Sequence, residues 1–162
     1  MTPQVKDDII AKINEAESII KDFMAKTNEI LSTDIDETLE DILMEREVLL
    51  EKLNLCTAEI DEITVKFCTE TEKRYIENSL ENKHIPLGLT TELKEIRRAA
   101  VKMHSVFSEA VEKDKLACTR VDARLKELRT SLEDLKEDKK KLDFYSHNKI
   151  GAKKGSSFNE KL

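Results

Sequence analysis

The stretch ACTRVDARLKELRTSLEDLKEDKKKL, residues 117–142, decides the fold class. Its apolar side chains recur mostly at steps of three and four residues, and the same spacing reaches back to Leu93, with Asp114 and Lys139 as polar interruptions. The members of this stripe are Leu93, Ile96, Ala100, Met103, Phe107, Ala110, Ala117, Val121, Leu125, Leu128, Leu132, Leu135 and Leu142. A heptad pattern of this kind is typical of an α-helix that packs against other helices with left-handed geometry. It predicts one long helix over residues 90–144.

Two further helices are predicted before this one. The threonine and proline at residues 2–3 are a favourable helix start, and the apolar periodicity that follows predicts a helix over residues 3–31. A second helix is expected over residues 35–81, since this stretch has an apolar stripe and neither glycine nor proline. Pro86 and Gly88 then mark the loop before the third helix.

Short connections between long helices predict antiparallel neighbours. The chain is therefore expected to be all-α, an elongated antiparallel three-helix bundle or coiled coil that runs up, down and up over residues 1–145. Residues 146–162 have no periodicity and are rich in glycine, serine, asparagine and lysine, which predicts a flexible tail. The tail is basic, because residues 139–162 contain seven lysines and two acidic residues.

The helix lengths predict where the core is incomplete. At about 1.5 Å per residue the helices should measure roughly 40, 70 and 80 Å, so the first cannot cover the whole of the other two. Residues 60–80 and 93–110 should then extend beyond it as a two-helix hairpin with an unfinished core. Candidate partner-binding residues in this hairpin are Ile63, Phe67, Met103 and Phe107.

Composition excludes several classes of partner. The net charge is −6, and both signs are dispersed along the chain, which argues against nucleic-acid binding. No window approaches the roughly 20 consecutive apolar residues of a membrane-spanning helix, so no stable membrane insertion is expected. Cys56, Cys68 and Cys118 form no CxxC pair, which favours the reducing cytoplasm.

No motif in the chain supports catalysis. His84, His104 and His147 are predicted in a loop, a helix and the tail, and none belongs to a metal-binding pattern. Gly-rich nucleotide-binding motifs, the nucleophile elbow and HExxH are all missing from the sequence. We therefore expect a protein that is not an enzyme and that has no cofactor and no metal site.

Several segments resemble flagellar export chaperones of the FlgN and FliT type. They are ILSTDIDETL at residues 30–39, EREVLLEKL at residues 45–53, the proline loop at residues 85–87, the long final helix, and Tyr145 just past its predicted end. The resemblance spans nearly the whole chain. It implies a cytoplasmic chaperone that binds the amphipathic terminal helix of a hook-associated or filament-cap type substrate. Such a chaperone prevents premature assembly and delivers the substrate to the export gate at the membrane.

The resemblance also places a binding surface in the C-terminal half of the last helix. The residues it implies are Leu125, Leu128, Leu132, Leu135, Phe144 and Tyr145, with Tyr145 contacting cargo or the export gate. The helix lengths favour the hairpin instead, and both surfaces stay open. Two other functions are also compatible with the residues: a structural coiled coil that forms a homodimer, with Asp114 and Lys139 setting its register, and a regulatory helix-binding protein.

Overall fold

The computed structural model describes residues 1–32, 38–84 and 90–152, with side chains as far as Tyr145. These residues form helices and no strand, which confirms the prediction of an all-α protein. The helices are α1 (Pro3–Ser32), α2 (Leu39–Phe67), α3 (Glu70–Leu80) and α4 (Thr91–Ala152). The chain divides within α4 into two units, Met1–Cys118 and Thr119–Leu162. None of the described helices is long and apolar enough to cross a membrane.

The predicted second helix is two helices in the structure. Cys68 and Thr69 are in extended conformations, and Thr69 begins α3 with a capping box. The Thr69 hydroxyl accepts a hydrogen bond from the backbone N–H of Glu72, and the Glu72 carboxylate accepts one of 2.8 Å from the backbone N–H of Thr69. This reciprocal capping satisfies backbone donors that a continuous helix would use internally.

Ion pairs show how α1 lies against α2. Lys26 near the end of α1 pairs with Glu45 near the start of α2, with 2.6 Å between Nζ and the carboxylate oxygen. Lys12 pairs with Glu59 at the same distance, further back along α1 and further forward along α2. The two helices are therefore antiparallel neighbours.

The first part of α4 runs beside α1 in the same direction. Lys6 pairs with Glu95 at 2.6 Å, and Glu17 pairs with Lys102 at 3.1 Å. Glu17 is buried and also accepts a hydrogen bond from Lys21. The hydrogen bond from Lys21 and the one from Lys102 outweigh the effect of burial and hold the pKa of the Glu17 carboxyl below its ordinary value. A charged Glu17 thus connects two helices of the first unit.

The hairpin expected to lie uncovered is covered by α1. Its apolar side chains form one buried cluster with the first half of α1, and this cluster consists of Ile9, Ile13, Ile60, Ile76, Leu93 and Ile96. The length argument fails because it assumed an unbroken second helix. With the break at Cys68, α2 has 29 residues against 30 in α1, so α1 reaches the end at which α3 and α4 begin. Ile63 and Met103 lie half-buried against this cluster.

The last helix continues past its predicted end. It was expected to stop at Phe144, whereas α4 extends to Ala152, so residues 146–152 of the predicted tail are helical. Acidic and basic residues are closely interspersed up to Asp143, which suits a solvated helix. The remaining predicted tail, residues 153–162, lies outside the described residues.

Candidate helix-binding surfaces

The predicted partner-binding residues fall into both units of the chain. Ile63, Phe67, Met103 and Phe107 belong to the first unit. Leu125, Leu128, Leu132, Leu135, Phe144 and Tyr145 belong to the second.

Two adjoining cavities in the first unit form an apolar groove. Their volumes are about 230 and 290 Å³, and both are lined by Ile20 of α1, Leu53 of α2 and Phe107 of α4. Leu50, which lines the smaller cavity, is 46% exposed, and Phe107 is 43% exposed, so the groove opens to solvent. The smaller cavity exceeds the roughly 150 Å³ that can hold a benzene ring in an apolar protein interior. The groove is therefore large enough to take an apolar side chain from outside.

An ion pair lies at one end of the apolar groove. Asp114 of α4 lines the smaller cavity and accepts a hydrogen bond from the Arg46 guanidinium of α2. That guanidinium lies 4.4 Å from the centroid of the Phe23 ring, another lining residue. The Arg46 side chain is 11% exposed, and its Nε is buried with no hydrogen-bond partner among the described residues. Asp114 thus neutralises a largely buried cation and is not an isolated polar interruption of the heptad pattern.

A histidine lies at the other end of the groove. A ring nitrogen of His104 is hydrogen-bonded to the backbone carbonyl oxygen of Leu80, the last residue of α3. The imidazole also meets the Phe107 ring edge-on, with 6.2 Å between centroids. His104 therefore joins α4 to α3 and positions a ring that lines both cavities.

Two of the four residues predicted in the first unit line this groove. Phe107 lines both cavities and Met103 lines the larger one. Ile63 is half-buried against the core cluster, and Phe67 is exposed beneath the Lys66 ammonium, 5.2 Å from the ring centroid. The sequence prediction missed Leu50, Ile20 and Leu53, although Ile20 and Leu53 stand in the apolar stripes of α1 and α2. From the sequence alone, Ile20 and Leu53 could not be distinguished from ordinary core residues.

The second unit presents a row of exposed leucines. We call Leu125, Leu128, Leu132 and Leu135 the leucine seam. Their side chains are between 41% and 65% exposed, and every side chain from Leu125 to Tyr145 is exposed. Phe144 and Tyr145 follow on the same helix, with their rings edge to face at 6.1 Å. The predicted residues of this unit therefore share one helix and are accessible.

One group of potential metal ligands occurs among the described side chains. Ligand atoms of Glu15, Cys56 and Glu59 lie within 4.8 Å of one another. Lys12 pairs with both carboxylates, at 2.8 Å to Glu15 and 2.6 Å to Glu59. Burial raises the pKa of the Cys56 thiol, which favours its protonated form. The lysine ammonium already provides the positive charge that these carboxylates require.

The two surfaces suit the same kind of ligand. The groove and the seam are both built from apolar side chains at helical spacing, and their polar groups lie at the margins. Such surfaces recognise an amphipathic helix through its apolar face. Comparisons of the chain with protein-family models, with curated proteins and with solved structures find no match.

Proposed function

We propose that this chain is a helix-binding protein whose apolar groove accepts the apolar face of an amphipathic helix from a partner protein. The first unit is then an antiparallel bundle of α1, α2 and the first part of α4, with the short α3 packed at one end, and the partner supplies a further long helix. The observation that supports this proposal is the pair of adjoining apolar cavities that open to solvent beside Leu50 and Phe107. Helix-in-groove binding uses surfaces of this kind.

The length of the groove suits a short helical segment. His104 and Asp114 mark its two ends on α4, and ten residues of helix span about 15 Å. A partner helix needs about 10 Å to present apolar anchors at positions i, i+3 or i+4, and i+7. Burying roughly 600 Å² of apolar surface contributes about 15 kcal/mol before the costs of association and ordering, which leave an affinity in the micromolar to nanomolar range.

The resemblance to chaperones of the FlgN and FliT type suggests which helix is bound. The proposed cargo is the terminal helix of a hook-associated or filament-cap type flagellar protein, which the chain keeps from assembling and delivers to the export gate. Such a helix is apolar on one face and unpaired before assembly, so it needs a temporary partner. Cys56, Cys68 and Cys118 are free thiols, which suits the proposed site of action in the reducing cytoplasm.

Two matched variants test the proposal. Leu50→Asp places a charge at the mouth of the groove, whereas Leu55→Asp makes the same change on α2 at a residue that is 60% exposed and lines neither cavity. The probe is a synthetic peptide with the C-terminal amphipathic helix of a hook-associated protein from the same organism, titrated by calorimetry. Leu50→Asp should weaken binding at least about tenfold, since an uncompensated charge must be desolvated, and Leu55→Asp should bind like the original chain.

Circular dichroism and thermal unfolding of both variants check that the helices are intact. Both side chains are about half exposed, so neither variant should lose more than a small part of its helicity. Equal loss of binding in the two variants, or full binding by Leu50→Asp, would show that the groove is not the receptor.

A further inference from the structure

The leucine seam has the heptad spacing of a two-stranded coiled coil. Leu125 and Leu132 occupy heptad position a, and Leu128 and Leu135 occupy heptad position d. All four are exposed in the structure, and leucines at a and d positions are normally buried in the face of a second helix. The charges that flank the seam at e and g positions indicate which helix can pair with it, because they set partner choice and orientation.

These charges oppose a parallel pair of two identical seams. In a parallel coiled coil each g residue faces the following e residue of the other chain. Arg124 would then face Arg129 of the second copy, and Asp138 would face Asp143. Lys139, at an a position, would also face itself. Each of these contacts brings like charges together.

The same charges favour an antiparallel pair. In this orientation residues at position a of one chain face residues at position d of the other. Residues at position g face each other across the two chains, and so do residues at position e. One register places Leu128 opposite Leu132 of the second copy, and it also places Leu125 opposite Leu135. In that register Arg124 faces Asp138 across the seam, and the two-fold axis repeats the contact.

The e positions in this register are also largely complementary. Asp122 faces Lys136 of the second copy, again twice by symmetry, and only Arg129 meets a like charge, its own copy at the two-fold axis. A shift of one heptad toward the C-terminus pairs Asp122 with Asp143 and Arg129 with Lys136, so it exchanges attraction for repulsion. Charge complementarity therefore favours the antiparallel orientation, and it favours this register over the one shifted toward the C-terminus.

We propose that residues 121–139 of two copies of this chain pair as an antiparallel coiled coil, with Leu128 opposite Leu132 and Arg124 opposite Asp138. The seam is thus a self-association surface, distinct from the groove proposed for a partner helix. The proposal does not depend on cargo binding, because it uses side chains of the second unit alone.

Charge reversal in the full chain tests this arrangement. Sedimentation equilibrium should show a dimer for the original sequence, and Arg124→Glu and Asp138→Arg should each weaken it about tenfold or more, since each replaces two attractive contacts by two repulsive ones. The double variant Arg124→Glu/Asp138→Arg exchanges the two charges and should restore the dimer. Lys126→Glu and Glu133→Arg are the controls. They make similar changes at exposed b positions beside the seam and should leave the dimer unchanged.

In a parallel dimer each single charge reversal would have the opposite effect on association. The Arg124→Glu change would place a negative charge opposite Arg129 of the second copy, and Asp138→Arg would place a positive charge opposite Asp143. Each single change would therefore strengthen association. Strengthening by the single variants, no effect of them, a double variant weaker than both, or a monomeric original chain at about 100 µM would each overturn the proposal. Peptide binding to Leu50→Asp is measured separately, so failure of either proposal is recognised without reference to the other.

Discussion

Replacing Ala110 with leucine should stabilise the protein and block its groove at the same time. Ala110 is 4% exposed and lines the cavity of about 230 Å³ in the first unit. A leucine side chain at this position adds three carbon atoms that can extend into the cavity. Most substitutions of a small buried residue by a large one overpack the core, so stabilisation here would be a specific consequence of the empty space.

The expected gain follows from the added apolar surface. Three buried carbon atoms at about 0.8 kcal/mol each give at most about 2.4 kcal/mol. Ordering a leucine side chain costs about 0.5–1 kcal/mol, which leaves a gain of about 1.5 kcal/mol in the free energy of unfolding. For a chain of this size that corresponds to a rise of about 3–6 °C in the midpoint of thermal unfolding. Binding of the partner-helix peptide should fall at least about tenfold, because the leucine occupies the place of its anchor.

Urea denaturation and peptide titration measure the two effects, and Ala100→Leu is the control. Ala100 lies on the same helix with no exposed surface, but it lines neither cavity. Its substitution should cost about 1–3 kcal/mol by overpacking. If Ala110→Leu destabilised the protein as much as Ala100→Leu, the cavity could not accept a side chain. If it stabilised the protein without reducing binding, the peptide would have to bind elsewhere.

Three further predictions concern the polar contacts of the first unit. The hydrogen bond from Lys21 lowers the pKa of Glu17, so its stabilising effect is present above the ordinary glutamate pKa of about 4.3 and is lost as the pH falls through the lower folded value. Glu17→Gln should therefore be less stable than the original chain at pH 7 and equally stable in strong acid, as measured by urea denaturation across pH. Thr69→Ala removes the cap of α3 and should cost about 1 kcal/mol, with faster hydrogen exchange in α3 as the local readout. Asp114→Ala leaves the Arg46 cation without its partner and should cost about 1–3 kcal/mol in thermal or urea unfolding, and a second change, Arg46→Met, should recover part of the loss.

Helix type and most helix ends could be predicted from local sequence. The predicted start at residue 3 coincides with that of α1, and α4 begins at Thr91, one residue after its predicted start. The break at Cys68 was missed because no glycine or proline marks it, although the segment around it, residues 63–71, is rich in the weak helix formers threonine, valine and cysteine. The signal was the spacing of Thr69 and Glu72, which is that of a capping box. Such a pair also occurs inside continuous helices, and here the extended backbone of Cys68 and Thr69 makes it the N-terminal cap of α3.

The candidate site depended on that break. With a continuous second helix the unfinished core would lie in the hairpin, where Ile63 and Phe67 were predicted to bind a partner. With α3 as a separate helix, α1 covers that region and the groove lies instead beside Leu50 and Phe107. A heptad pattern shows which residues share a face, but it does not show which helices overlap along their length. The capped start of α3 at Thr69 therefore determines the length of α2 and with it the position of the groove.

An unfilled apolar space of this size lowers the stability of a free chain of 162 residues. At about 24 cal/mol per Å³, a fully closed cavity of 230 Å³ would cost about 5.5 kcal/mol, which is comparable to the total stability of many small domains. The opening to solvent reduces that cost without removing it, since the lining remains apolar. A single larger residue at Ala110 could fill part of the space, yet the chain has the smallest apolar side chain there. A partner side chain in the groove would recover the lost packing only in the complex. The same cavity that weakens the free protein would therefore contribute to the affinity for the proposed partner helix.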